Sequence, residues 1–134
     1  MEELKDLETG LYKRNFFDEE LERLSKKRGT DFGIIVASAE SGDHDVIIQI
    51  ADTIKKSVRD YDIVARLDKN EFGVILEDVS EDMVIKIAKR ISEDIKSHFK
   101  NLPNPPKVSI VWNLSKSFFG DLQKAYESLR EQKP

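Results

Sequence analysis

A chain of 134 residues, 39% hydrophobic and 36% charged with a net charge of -4, can bury one hydrophobic core and reads as a soluble globular protein. It has no cysteine, which excludes disulfides and thiolate metal sites, and no apolar run approaching the ~20 residues of a membrane helix. The acidic balance gives no sign of nucleic acid as a partner, and the charges spread through residues 1–30 leave no secretory signal there.

In chain order, Phe16, Phe17, Leu21 and Leu24 recur at helical spacing and predict a helix over 16–28, stopped by Gly29. Residues 33–39, with Ile34, Ile35 and Val36, predict a buried strand. Asp43 is placed to cap a helix whose apolar face is Ile47, Ile50, Ala51, Ile54 and Val58. Residues 63–67 and 72–77 are two apolar runs that predict a hairpin, and Asn70 at its tip tolerates the left-handed backbone such a turn often needs. Ser80 is placed to cap a long helix, with Glu81 and Asp82 suited to its dipole and Val84, Ile87, Ala88, Ile91, Ile95 and Phe99 on its buried stripe. A proline-rich loop over 102–106 leads to a strand at 107–112, and a last helix carries Leu122, Ala125 and Leu129. The fold class is therefore α+β. Its ferredoxin-like βαββαβ core has helices on one face of an antiparallel sheet, with an N-terminal and a C-terminal helix added, in a single domain over 1–134.

Four stretches in the right order resemble GGDEF domains, the diguanylate cyclase family. Residues 6–14, D-L-E-T-G-L-Y-K-R, resemble the family's opening D-x-L-T-G-L-x-N-R; residues 62–66 resemble the lead-in to its signature. Val108, Ser109 and Ile110 resemble the V-S-I-G strand, with Val111 in place of the glycine, and residues 125–133 resemble the closing helix, where Lys133 matches a phosphate contact. The signature hairpin Gly-Gly-Asp/Glu-Glu-Phe is matched by Asp68, Lys69, Asn70, Glu71 and Phe72. The resemblance implies a palm-like fold of the nucleotidyl-cyclase type in a bacterial signalling protein.

It also implies a lost reaction. Active members bind Mg²⁺ through an aspartate at the end of the first core strand and a carboxylate in the signature loop, and Mg²⁺ demands hard oxygen ligands. Here the metal positions fall on Ala37 and Ala39 in one register, or on Ser38 and Glu40 in the other. Asn70 is uncharged, and Asp68 and Lys69 fill the space that two glycines leave for substrate. Only Glu40, Ser41 and Gly42 separate the strand from Asp43, so the guanine-reading helix of the family is missing. The expectation is a degenerate domain in the cytoplasm, not an enzyme, with no catalytic residue, no metal site and no cofactor.

Arg59 and Asp62 fit R-x-x-D at the spacing of the family's inhibitory product site, and Arg90 on the following helix matches a second arginine of such sites. An arginine fork matches a guanine edge and its charge suits phosphate, so these three residues form a candidate cyclic di-GMP site. The structural alternative stands beside it: Asp62 fixes the turn into the hairpin, Arg59 is an exposed cation at a helix end, and Arg90 sits on a solvated face. Three functions compete: a cyclic di-GMP receptor, a ligand-free module for a protein partner or a homodimer, and a GTP-binding regulatory domain, against which the missing helix argues. His44 and His98 lack metal-ligand spacing and read as surface residues, Trp112 reads as packing, and Phe118 and Phe119 read as packing for the last helix.

Overall fold

The computed structural model describes residues 4–27 and 29–115. The elements are β1 (Tyr12–Lys13), α1 (Arg14–Ser25), β2 (Phe32–Ala39), α2 (His44–Ser57), β3 (Ile63–Asp68), β4 (Glu71–Glu77), α3 (Glu81–His98) and β5 (Val108–Ser115). They form one five-stranded sheet in the order β1-β3-β4-β2-β5. The predicted last helix, with Phe118, Phe119, Leu122, Ala125, Leu129 and Lys133, lies outside the described residues.

Local chemistry sets the helix ends. The Asp43 carboxylate accepts the Val46 N–H at 3.0 Å and the Ser80 hydroxyl accepts that of Met83 at 3.2 Å, so both predicted caps satisfy a first-turn donor. α1 ends at Ser25, short of the predicted 28, because the Lys26 N–H turns back onto the Arg23 carbonyl at 3.3 Å and the Lys27 N–H onto the Leu24 carbonyl at 3.1 Å. Phe16 leaves the core and stacks on Tyr12 at 4.2 Å, so Phe17, Leu21 and Leu24 alone form the buried stripe of α1.

β2 is buried along almost its whole length, paired antiparallel with β4 on one side and β5 on the other. Its side chains alternate between two cores. Phe32, Ile34 and Val36 meet α1 and Ile75, while Ile35, Ala37 and Ala39 meet α2 and α3. The expectation of helices on one face thus holds for α2 and α3, but α1 covers the opposite face. The sheet also has one parallel pair, β1 with β3, which two residues are too short to announce in sequence.

The hairpin closes with Asp68 opposite Glu71 and a shift of register between Arg66 and Asp68. Among the described residues other than glycine, only Asp78 has a positive φ, so Asn70 does not use the left-handed backbone expected of it. The irregularity beside Leu67 takes up the twist that a primed turn otherwise supplies.

Gly73 leaves room on the sheet for Phe17 of α1. A Cβ there would stand 2.7 Å from Phe17 Cε2 and 2.8 Å from Leu67 Cδ1, both in buried side chains. Gly73→Ala is expected to destabilise the fold by about 1–3 kcal/mol through overpacking. A urea melt checks this as a lower midpoint at unchanged slope.

Candidate functional site

Two clusters of sequence-predicted residues lie at different places on the sheet. The first is at the hairpin tip. Register sets Ser38 opposite Glu71, with Ser38 Oγ 3.5 Å from Glu71 Oε2, a long and weak contact. Glu71 is buried, as is Phe72. The Asn70 carbonyl accepts the Ala39 N–H at 2.8 Å, and Asn70 Oδ1 is buried without a hydrogen-bond partner among the described residues. Ala37 and Ala39 point into the α2/α3 core. Of the two registers left open by sequence, the one containing Ser38 therefore shares a face with Glu71. Glu40 follows the strand, exposed, with its N–H on the Lys107 carbonyl at 2.9 Å. Among the described residues no three His, Cys, Asp or Glu side chains gather as a metal site.

A clamp that sequence reading missed ties this tip to the N-terminal motif. Arg66 Nε and Nη2 donate to the Lys69 carbonyl at 3.2 and 2.7 Å, while Nη1 donates to Asp6 Oδ2 at 3.2 Å and Glu8 Oε1 at 2.8 Å. Asp6 Oδ2 also accepts the Thr9 N–H at 2.9 Å and its hydroxyl at 2.7 Å, closing a turn in which Gly10 has φ +74°. Glu8 stands where the family motif has leucine. Its other oxygen lies 2.9 Å from His44 Nδ1, so His44, a surface residue as expected, touches the clamp from the start of α2. Burial alone pulls the Asp6 carboxyl up, but hydrogen bonds from Thr9 and Arg66 together hold it below the usual carboxylate range. Glu8 in a leucine position, with Arg66 just before the signature, was the available signal.

The second cluster is at the α2–β3 corner. The Arg59 Nε donates to both Asp62 oxygens at 3.0 Å, Nη2 donates to Oδ1 at 2.8 Å, and the Arg59 backbone N–H donates to Oδ2 at 2.8 Å. The Asp62 side chain is fully buried and that of Arg59 is 21% exposed, so Arg59 is not the free helix-end cation of the structural alternative. It lies after α2 has ended, and the hydrogen bonds to Asp62, opposed by desolvation, raise its pKa above the ordinary arginine value. Arg90 Nη1 reaches across from α3 to the Ser57 carbonyl at 3.2 Å, at the last residue of α2. The structure thus brings Arg59, Asp62 and Arg90 to one corner.

The alternation of strands and helices, with a polar hairpin tip beside the end of the central strand, defines a palm-like α+β domain. The sequence model described as diguanylate cyclase, GGDEF domain, matches residues 37–115, and the chain belongs to that family. The chain is similar to the probable diguanylate cyclase DgcT of Escherichia coli (strain K12), 28% identical over 122 residues, covering 79% of this chain and 27% of that protein. It thus spans about a quarter of that relative's length. Its fold is similar to the GGDEF domain of FimX from Pseudomonas aeruginosa, with TM-score 0.86 at 14% identity over 97% of this chain and 91% of that one. It is also similar to the GGDEF domain of DgcB from Caulobacter crescentus, solved in complex with c-di-GMP, with TM-score 0.82 at 19% identity over 98% and 88% of the two chains. Diguanylate cyclase SiaD from Pseudomonas aeruginosa, solved with its activator SiaC, gives TM-score 0.85 at 14% identity over 96% and 55%.

Arg59→Ala is expected to destabilise the protein by about 2–4 kcal/mol, because a fully buried carboxylate loses its cation. Arg59→Ala combined with Asp62→Asn should cost less than the sum of the two single changes, measured as a double-mutant cycle in denaturant.

A pH dependence follows from Glu77 and Asp6. Lys27 at 2.6 Å and Arg23 at 3.1 Å hold Glu77 below its usual range despite burial, led by the hydrogen bond from Lys27. With folded values depressed, both carboxylates contribute stability that is complete above the unfolded pKa of about 4 and lost as pH falls through the folded values. Denaturation midpoints taken from pH 6 down to pH 3 should drop, and Glu77→Gln should flatten that drop.

Proposed function

We propose that residues 1–134 form a single, degenerate GGDEF domain that does not condense GTP and instead senses cyclic di-GMP at the corner of Arg59, Asp62 and Arg90. One observation carries the first half of this reading. The face of the β2 end that adjoins Glu71 holds the Ser38 hydroxyl and the neutral Asn70, Asp68 opposite Glu71 is exposed, and among the described residues Glu71 is the one buried carboxylate at the tip. A hydroxyl, an amide and a single buried carboxylate do not fit Mg²⁺ carrying a triphosphate, which needs several hard, charged oxygens in near-octahedral array. The connection from β2 to the α2 cap is three residues long, Glu40 to Gly42, and has no helix on which to read a guanine base. That argues equally against a GTP-binding regulatory role.

The convergence of two guanidinium groups and a carboxylate supports the second half, since such a set recognises guanine edges and phosphate together. DgcB, of similar fold, was solved with c-di-GMP. No described helix is long and apolar enough to cross a membrane; we place the domain in the cytoplasm on the same reading. The closed Arg59–Asp62 fork favours a second reading, a ligand-free module that docks a protein or a second copy. SiaD, also of similar fold, was solved with a protein activator.

Calorimetry of the full chain with cyclic di-GMP and with GTP, each with and without Mg²⁺, tests both halves. Saturable heat with cyclic di-GMP and none with GTP is expected; no heat with cyclic di-GMP favours the docking module. Incubation with GTP and Mg²⁺ should give no cyclic di-GMP above a blank, and Asn70→Asp alone should not restore turnover. Clear turnover by the unmodified chain overturns the non-catalytic reading.

A further inference from the structure

Tyr61, between the two residues of the R-x-x-D pair, is 71% exposed and joins neither buried core. The Arg59 guanidinium lies over its ring, 4.6 Å from the centroid. The same guanidinium is held along its Nε/Nη2 edge by a carboxylate whose side chain is fully buried. A long, flexible cation is thereby fixed at three points, and the ring beneath it is fixed in turn. One face of Tyr61 is occupied by Arg59 and most of the side chain is open to solvent.

We propose that Tyr61 is the base-stacking residue of this corner, so that the site selects a planar purine by an Arg59–Tyr61–base stack and not by guanidinium contacts alone. The proposal rests on the cyclic di-GMP reading above and adds to it the residue that reads the base's face. A cation beneath an aromatic ring draws off its electron density, which favours an electron-rich purine on the other face. Stacking of this kind is strong and needs little rearrangement, because Tyr loses few rotamers when it is already held. It also lets a ligand bind without first breaking the Arg59–Asp62 fork, since the ring's open face lies outside the atoms that the fork uses. Arg90, with one of its donors on the Ser57 carbonyl, is the nearby charge for a phosphate.

The merely structural role for Tyr61 is support of Arg59 through the cation–π contact. That role predicts a lower melting temperature on truncation and no direct contact with ligand. The test is calorimetry with cyclic di-GMP on the full chain and on Tyr61→Phe, Tyr61→Leu and Tyr61→Ala, with melting temperatures recorded for each. Tyr61→Phe should bind like the unmodified chain, and Tyr61→Leu and Tyr61→Ala at least about ten-fold more weakly. Proton NMR of the ligand reads the stack itself: the guanine H8 resonance should move upfield on binding to the unmodified chain and to Tyr61→Phe, and lose that shift with Tyr61→Leu. Binding by Tyr61→Leu within about two-fold of the unmodified chain, or a retained upfield shift, overturns the stack while leaving the ligand reading intact. Absence of binding by the unmodified chain overturns the ligand reading, and the stack with it.

Discussion

β2 is the constraint on which the rest of this molecule depends. Both of its edges are paired and both of its faces are covered, so its backbone groups are used in ladders and its side chains must alternate strictly between two cores. A slip of one residue would exchange every side chain between the α1 face and the α2/α3 face. Phe32, Ile34 and Val36 fit in the core with α1, where Gly73 lets Phe17 approach, and small Ala37 and Ala39 fit in the core that α2 and α3 share. With that register locked, Ser38 is opposite Glu71 by necessity. The chemistry available at the hairpin tip is therefore decided by packing several residues away from it.

The tip itself is held by charge and hydrogen bonding, not by turn glycines. Arg66 spends one edge of its guanidinium on the Lys69 carbonyl and the rest on Asp6 and Glu8, so the turn, the N-terminal motif and, through His44, the start of α2 are joined in one network. Such a network is partly exposed and each bond is worth little alone. Its value is geometric, since it fixes where residues 68–70 project without a left-handed backbone at any of them. Asp68 and Lys69 occupy a place where glycines leave room for a ligand, and the clamp holds them there.

Much of this was legible in the sequence, and the failures have physical causes. The two helix caps, the apolar stripes of α2 and α3 and the hairpin follow from local rules, because side-chain caps and periodic burial act over a few residues. The side of the sheet that α1 covers did not, because an amphipathic helix announces a buried face without naming its partner. β1 has two residues and no period to detect. The R-x-x-D pair was visible as a motif, yet its fork geometry depends on how the chain leaves α2 at Val58, which composition does not encode. The Arg66 clamp joins residues about sixty positions apart, so no window of local reading contains it.

On the function proposed above, the α2–β3 corner would carry both structure and recognition, and the two demands are compatible only if they use different atoms. A buried carboxylate needs its cation continuously; a ligand that took Arg59 away from Asp62 would have to offset the exposure of that charge before gaining any affinity. Asp62 also accepts the Arg59 backbone N–H, so opening the fork would loosen the turn that starts β3. A site that binds through the open face of Tyr61 and through Arg90 would leave that pair in place. It is preorganised in the sense that its most flexible side chain is already ordered by the fold, and the entropy of fixing Arg59 is met during folding rather than at binding. The geometry of such a corner is independent of any reaction centre elsewhere on the sheet, because the turn beneath it needs Arg59 and Asp62 whether or not a ligand is bound.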